Sequence, residues 1–324
     1  MKWAYKIIAT FFDLVLSPLV LLAAILLKLV RKHIVGFWEN YSYLGVSRTI
    51  FNKVGIFPVI NHYYEPQFQF NKTGKESEPK QLPGLDMNLA EQLVLLDTME
   101  YRQELIDLSE LPVSKLTYSF DKGPFRSGDA EYLYAFVRLK KPRTIIEVGC
   151  GHSSLIIQHA MKANKTENQA HVCEHICVEP YENDWLDGLE VTTIRALVES
   201  LPPAFFDKLR AGDILFIDSS HIIRPDGDVL YEILQLLPCL APGVYVHFHD
   251  IFTPRDYLTE WTSNGMLFWN EQYILEAYLS DNNKYKIIGA INYLKQNHYA
   301  ALNKVCPFLT PDREPGSFWI QRIE

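Results

Sequence analysis

From Ile7 to Val30 the chain is almost wholly apolar, interrupted by Asp13 and by Ser17-Pro18. A helix of this length crosses the hydrocarbon core of a bilayer, about 30 Å, and the run lacks the small-residue cleavage site of a signal peptide, so it predicts a membrane segment. Lys2 and Lys6 precede it, and Lys28, Arg31 and Lys32 follow it. The excess of positive charge on the C-terminal side places the body of the protein in the cytoplasm. Two topologies fit. One is a straight span. In the other, Pro18 removes a backbone donor and kinks the helix, which folds back so that both charged ends lie on one side.

Residues from about 35 to 115 are mixed, with Pro58, Pro66, Pro79, Pro83 and the polar run NKTGKESEP, which predicts turns and a surface loop. A helical period returns from Leu89 to Leu108, with Leu89, Leu93, Leu96 and Met99 on one face. A second amphipathic helix is expected over Asp129 to Leu139, with Ser127 and Asp129 as candidate caps. Beyond residue 143, strand and helix patterns alternate. TIIEV precedes a helix near Ser154 to Lys162, HICVEP a polar turn, EVTTIRA a short helix around Ala204 to Leu209, and DILFID a helix over Val229 to Leu237. GVYVHFHD precedes a helix within Asn270 to Leu279, and KYKIIGAI and SFWIQRI close the pattern, joined by a long segment. Such alternation predicts an α/β domain with a parallel sheet covered on both faces.

The chain has 324 residues, 48% hydrophobic and 13% aromatic, enough for a substantial core and about two domains. Its formal charge of −8 carries no clustered basic face, which argues against a nucleic-acid partner. Five cysteines without framework spacing suit a reducing compartment. His171, Cys173, His175 and Cys177 alternate, which puts them on one face of a strand but too far apart along it to close a zinc tetrahedron. His62, Tyr63 and Tyr64 form an aromatic cluster that can stack a sugar or pack the extension on the main domain.

The stretch TIIEVGCGHSS, Thr144 to Ser154, ends an apolar strand in an acid and two glycines spaced by one residue. Gly149 and Gly151 let backbone approach a ligand, and Ser153 or Ser154 can cap the helix that follows. A dinucleotide site calls for a third glycine, where this chain has His152, Ser153 and Ser154. Glu147 would also repel a pyrophosphate, whereas it suits a cationic ligand. Strand, E-x-G-x-G-x-S and helix resemble motif I of the class I S-adenosylmethionine-dependent methyltransferases, whose cofactor carries an amino group and a sulfonium. That resemblance implies a Rossmann-like class I methyltransferase fold, a seven-stranded, mostly parallel sheet with an antiparallel last strand. It also assigns Glu147, Gly149, Gly151, His152 and Ser153 to the cofactor.

In open α/β sheets the ligand lies at the carboxyl ends of the strands. Here these ends carry Glu147, Glu179, Asp218 with His221, and His249 with Asp250. Carboxylates gathered at one rim repel unless a cation or donors stand between them. Glu179, ending the second strand, is placed for the ribose hydroxyls of the cofactor, and Asp218 borders the same site. Asp218, His249 and Asp250 resemble the metal ligands of cation-dependent O-methyltransferases, which implies Mg²⁺ or Mn²⁺, although a histidine at that place favours a softer ion. A metal-free route uses His221 or His249 as general base. Both routes stand. FIDSSH, LAPGVYVHFHDIF and FWNEQYIL together resemble a bacterial group of class I methyltransferases over about residues 115 to 324. FDLVLSPLVLLAAILLKL resembles the re-entrant membrane helix of monotopic phosphoglycosyl transferases.

The expected organisation is a membrane anchor over residues 1–34, an extension over 35–115 and a methyltransferase domain over 116–324. The expected activity is O-methylation of a glycan, a lipid-linked sugar or another small hydroxylated acceptor at the bacterial cytoplasmic membrane, contacting lipid through residues 7–30. Trp269, Asn270 and Glu271 are candidate acceptor contacts. Rival readings are an NAD-type or nucleotide-sugar dehydrogenase and a non-catalytic membrane scaffold.

Overall fold

The computed structural model describes residues 2–35, 44–56, 59, 78–112, 114, 116–120, 123–181, 184–264 and 267–324. The aromatic cluster His62-Tyr63-Tyr64 and most of NKTGKESEP lie outside these residues. The chain divides into two compact units, residues 1–73 and 74–324.

In the first unit, α1 (Lys2–Val35) contains Pro18 and continues through it, so Ser17-Pro18 does not break the helix. Thr10 Oγ1 donates to Lys6 O at 2.9 Å and Ser17 Oγ to Leu14 O at 2.9 Å, which returns the hydroxyls of this apolar helix to its own backbone. Helix α2 (Gly45–Val54) ends on left-handed Gly55 and carries Val46, Ile50 and Val54 exposed at a four-residue spacing.

The second unit is a three-layer α/β/α sandwich. Helices α3 (Leu89–Asp97) and α4 (Arg102–Ser109) divide the helix expected from Leu89 to Leu108, with non-helical Tyr101 capping the second. Then come α5 (Asp129–Lys140), β1 (Thr144–Val148), α6 (His152–Glu167), β2 (Glu174–Val178), β3 (Thr192–Ile194), β4 (Ile214–Ile217) and α7 (Asp228–Tyr231). The chain ends with β5 (Tyr245–Phe248), α8 (Glu271–Leu279), β6 (Tyr285–Ala290), α9 (Ile291–Val305) and β7 (Phe318–Arg322). The helix expected over Val229 to Leu237 is α7 followed by a π turn over Glu232–Leu236 and a 3₁₀ turn that takes in Pro238. The long segment between the last two strands holds α9.

The seven strands lie in the order β3-β2-β1-β4-β5-β7-β6, with β7 antiparallel to both neighbours. Side chains alternate faces along each strand. Ile145, Ile214, Phe216 and Trp319 pack under α5, α6 and α9, while Ile146, Val148, Leu215, Ile217, Val246 and Phe248 pack under the opposite layer. His247 follows the same rule. It stacks on its register partner Phe216, ring centroids 4.0 Å apart, with Trp319 on its other side at 4.8 Å.

Helix α5 opens on Ser127 and Gly128. Ser127 Oγ donates to Glu131 Oε1 at 2.9 Å and Gly128 N to Glu131 Oε2 at 2.5 Å, the reciprocal half of a capping box. Asp129 Oδ1 accepts from Ser317 N at 2.7 Å and so ties the start of α5 to the start of β7.

Candidate active site

The chain runs outward from β1 through β2 to β3 and then returns to β4 beside β1, which makes the β1/β4 border a topological switch point where a crevice opens at the strand ends. Gly149 and Asp218 meet there. Gly149 adopts φ +77°, and a Cβ on it would stand 1.9 Å from the Asp218 carbonyl oxygen. A Cβ on Gly151 would meet nothing within 4 Å, which leaves space above that backbone. Helix α6 starts directly after it, at His152 rather than Ser154. Ser154 Oγ accepts from Gly151 N at 3.2 Å and acts as the cap.

Glu147 and Ser153 depart from the expected role. The Glu147 carboxylate is fully buried: it accepts from Ser153 Oγ at 2.6 Å and from Ser154 Oγ at 2.7 Å, and its Oε2 lies 2.9 Å from His175 Nε2. Its charge is matched inside the protein, so it fixes the loop from below instead of facing a ligand. The pairing of β1 with β2, which sets Glu147 beside Cys177, creates this arrangement. His152 is half-buried, with Gly123 packed so closely on its ring that a Cβ there would lie 2.4 Å away.

A cavity of about 270 Å³ lies along the switch point, lined in part by Gly149, Glu179, Tyr181, Leu197 and Asp218. Glu179 accepts from Cys150 N at 3.1 Å and Tyr181 N at 2.9 Å. Each carboxylate oxygen offers two lone pairs, so Glu179 keeps acceptor capacity toward the cavity.

Beside this cavity, His221 forms the centre of the rim. Its Nε2 lies 3.3 Å from Asp218 Oδ1 and 3.7 Å from Asp250 Oδ2, and its Nδ1 lies 2.8 Å from Glu271 Oε2. The ring rests on Trp269, centroids 4.4 Å apart. His221 and Asp250 both hold left-handed backbone, φ 59° and 57°, a strained conformation for non-glycine residues that often accompanies a functional constraint. Burial disfavours the charged imidazole of His221, but hydrogen bonds to Asp218 and Glu271 outweigh it and raise its pKa well above the usual value. Burial likewise opposes ionisation of Asp218, yet His249 and His221 hold it below the usual carboxylate range.

His249 stands apart. Among the described residues the group able to hold a cation at this rim is Asp218, His221 and Asp250, with donor atoms within 4.8 Å of one another, and not the expected Asp218, His249 and Asp250. His249 Nε2 is 3.5 Å from Asp250 Oδ1, its Nδ1 is buried with no hydrogen-bond partner, and its ring packs 5.0 Å from Phe125. The physical reason lies in the backbone: β5 side chains alternate, and Asp250 turns left-handed after His249, which sends the carboxylate toward His221.

Residues 146–251 match the family profile described as a methyltransferase domain. Residues 146–251 thus carry a methyltransferase domain. An uncharacterized protein of Archaeoglobus fulgidus is 32% identical over 140 residues, covering 40% of this chain; the chain spans 61% of that relative. An O-methyltransferase of Bacillus cereus, solved in complex with SAH, is 12% identical with a TM-score of 0.39, covering 71% of this chain and 100% of its own. The plantazolicin methyltransferase BpumL, also in complex with SAH, is 12% identical with a TM-score of 0.32, covering 74% and 98%.

Three acids of the second unit were not assigned to the rim from sequence. Asp228 accepts from Ser220 N at 2.9 Å and from Ser220 Oγ at 2.7 Å, and so shapes the turn after β4. Glu232 accepts from Ser219 Oγ at 3.0 Å; burial, with the charges of Glu271 and Asp228, lifts its pKa well above the carboxylate range. Glu271 is the buried partner of His221, although sequence placed it only among acceptor contacts. Its one sequence signal was a position at the start of the helix after β5. The two segments are stapled together, because His221 O accepts from Asn270 N at 2.9 Å and Asn270 Oδ1 from Ile223 N at 2.6 Å.

Proposed function

We infer that the methyltransferase domain transfers a methyl group from S-adenosylmethionine to a hydroxyl oxygen of a small or glycan acceptor. The observation that carries this reading is the meeting, at one switch point, of the glycine turn with the His221 rim. The space above Gly151 and the cavity beside Glu179 fit the donor. Glu179 would accept from its ribose hydroxyls, and the backbone amides at the start of α6 suit its carboxylate. When bound, the donor supplies an electrophilic methyl group on a sulfonium.

His221 Nε2, facing the rim, takes the hydroxyl proton, while Glu271 holds Nδ1 and fixes the ring. Glu271 is a positioning residue. Because the base must be neutral to act and its pKa is raised, turnover is expected to climb as pH rises above neutrality. Glu271→Gln removes one of the groups that raise it, so the acidic limb of the kcat profile should move to lower pH while donor affinity stays constant. A limb that does not move would remove Glu271 from this role.

Titration calorimetry tests the donor. S-Adenosylmethionine should bind the wild type, and Glu179→Ala should weaken it roughly tenfold or more, since a hydrogen bond to a charged group contributes about 1.5–3 kcal/mol. No binding to the wild type would overturn the reading.

The Asp218, His221 and Asp250 group also supports a cation-assisted version, in which an ion such as Mn²⁺ lowers the pKa of the acceptor hydroxyl. Activity lost on chelation and restored by Mn²⁺ or Mg²⁺ would favour it; activity that survives chelation favours His221 alone.

For the acceptor, half-buried Trp261 and Trp269, centroids 5.2 Å apart, stand next to His221 with buried Tyr257 behind Trp269 at 6.2 Å, and the two indoles suit the stacking of a sugar ring. Residues 5–31 are the described helix long and apolar enough to cross a membrane, and its unbroken course supports a straight span. With the positive flank on its C-terminal side, the domain would face the cytoplasm of a bacterial cell. Deleting the gene should lower the mass of a cell-envelope glycan or lipid by one CH2, the difference between a methoxyl and a hydroxyl; an unchanged envelope would count against that acceptor.

A further inference from the structure

Of the alternating His171, Cys173, His175 and Cys177, the structure brings His175 and Cys177 together, with Cys177 Sγ 3.7 Å from His175 Nε2. Strand pairing sets both of them against residues of the glycine turn. Cys177 lies opposite Glu147 in the β1–β2 register, and the donor atoms of Glu147, Cys150 and Cys177 all lie within 4.8 Å of one another. His175 Nε2 is 2.9 Å from Glu147 Oε2, and Cys177 Sγ is 3.7 Å from both of those atoms. Zinc–sulfur bonds of about 2.3 Å and zinc–nitrogen or –oxygen bonds of about 2.0 Å at a tetrahedral angle separate neighbouring donors by roughly 3.3–3.8 Å. The spacings among Glu147, His175 and Cys177 need only a small opening between Glu147 and His175 to match, and Cys150 Sγ, within 4.8 Å of the Glu147 and Cys177 donors, would move inward to complete the set.

The surroundings resemble those of a structural metal. All four side chains are buried, and Leu186, Trp185, Leu189 and Val191 form an apolar wall around the two thiols. Ser153 and Ser154 orient the carboxylate, and the Gln158 amide stands 2.9 Å from His175 Nδ1, the position from which an outer partner fixes a ligating imidazole. This cluster is on the interior side of the loop and shares no donor atom with the His221 rim.

We propose that Glu147, Cys150, His175 and Cys177 form a tetrahedral site for a thiophilic divalent ion, zinc foremost, which locks the glycine turn to β2. Binding needs no redox partner. The thiol protons of Cys150 and Cys177 pass to solvent, the imidazole proton of His175 moves from Nε2 to Nδ1, and the Gln158 amide, whose nitrogen faces Nδ1, turns its oxygen to accept it. Thiolates select zinc or cobalt over magnesium or calcium.

The full chain, expressed with zinc and purified reduced and without chelator, should carry about one zinc per chain by plasma mass spectrometry. Cobalt in place of zinc should give a thiolate-to-cobalt charge-transfer band, a reading on the wild type that does not depend on any variant folding. The Cys150→Ser, Cys177→Ser double variant should lose the metal and the band, while Cys239→Ser, at an exposed cysteine, should keep both. Gln158→Ala should weaken zinc roughly 10- to 100-fold in competition with a chromophoric chelator. Wild type that is folded and zinc-free, metal content unchanged in the double variant, or a Cys150–Cys177 disulfide in place of metal would each overturn the site. None of these readings involves S-adenosylmethionine, so the methyl-transfer assignment stands or falls separately.

Discussion

His221→Asn is expected to leave S-adenosylmethionine affinity within about twofold of wild type and to lower turnover by roughly 10²- to 10⁴-fold, the usual contribution of a general base. Asparagine is chosen for two reasons. It tolerates the left-handed backbone that His221 holds at φ 59°, and its amide leaves a donor near Glu271, whose buried carboxylate would otherwise stay unpaired. The separation of affinity from turnover follows from position: His221 touches Asp218 and Asp250 at the rim but is not among the residues lining the cavity beside Glu179. Asp218→Asn should affect both quantities, because Asp218 borders that cavity and also contacts the imidazole. Steady-state kinetics with calorimetry on the same preparations distinguishes the outcomes. Turnover near wild type in both variants would remove the rim from the chemistry.

Gly149→Ala is expected to abolish detectable donor binding and lower the melting temperature. A methyl group at this position would lie 1.9 Å from the Asp218 carbonyl oxygen, well inside contact distance, and the left-handed φ of +77° costs an alanine roughly 1–2 kcal/mol by itself. The ends of β1 and β4 must separate to admit it, and they are joined by the bond from Asp218 N to Val148 O at 2.9 Å. Gly151→Ala provides the contrast. Its Cβ meets nothing within 4 Å, so the protein should melt near the wild-type temperature, yet donor affinity should fall because the methyl group occupies the cradle. Equal melting curves for the two alanine variants would contradict this account. Differential scanning calorimetry, with and without donor, gives both readings.

Much of the fold was legible because its signals are local. Strand periodicity located all seven strands, and the E-x-G-x-G-x-S pattern marked the turn from the first strand into a helix, which the strand order then set at the switch point. The helix from Leu89 to Leu108 kept its apolar period across a break at Tyr101, since period reports which face is buried and not whether the backbone continues. Helix α9 was read as a connecting segment, although it packs against α3 and β6.

At the site, the sequence by itself determined which residues stand at the strand ends: Glu147, Glu179, Asp218, His221, His249 and Asp250. Position along a strand is a one-dimensional property, and alternation suffices to place it. Only the tertiary structure decided which way each side chain turns. Strand pairing set Glu147 against His175 and Cys177, inside the protein, while the left-handed turns at His221 and Asp250 brought those two residues to Asp218 and left His249 beside Phe125. Glu271 is 50 residues from His221 in sequence and 2.8 Å from it in space. A partner at that separation is fixed by the packing of α8 against the β4 end, so no local pattern in the chain could announce it.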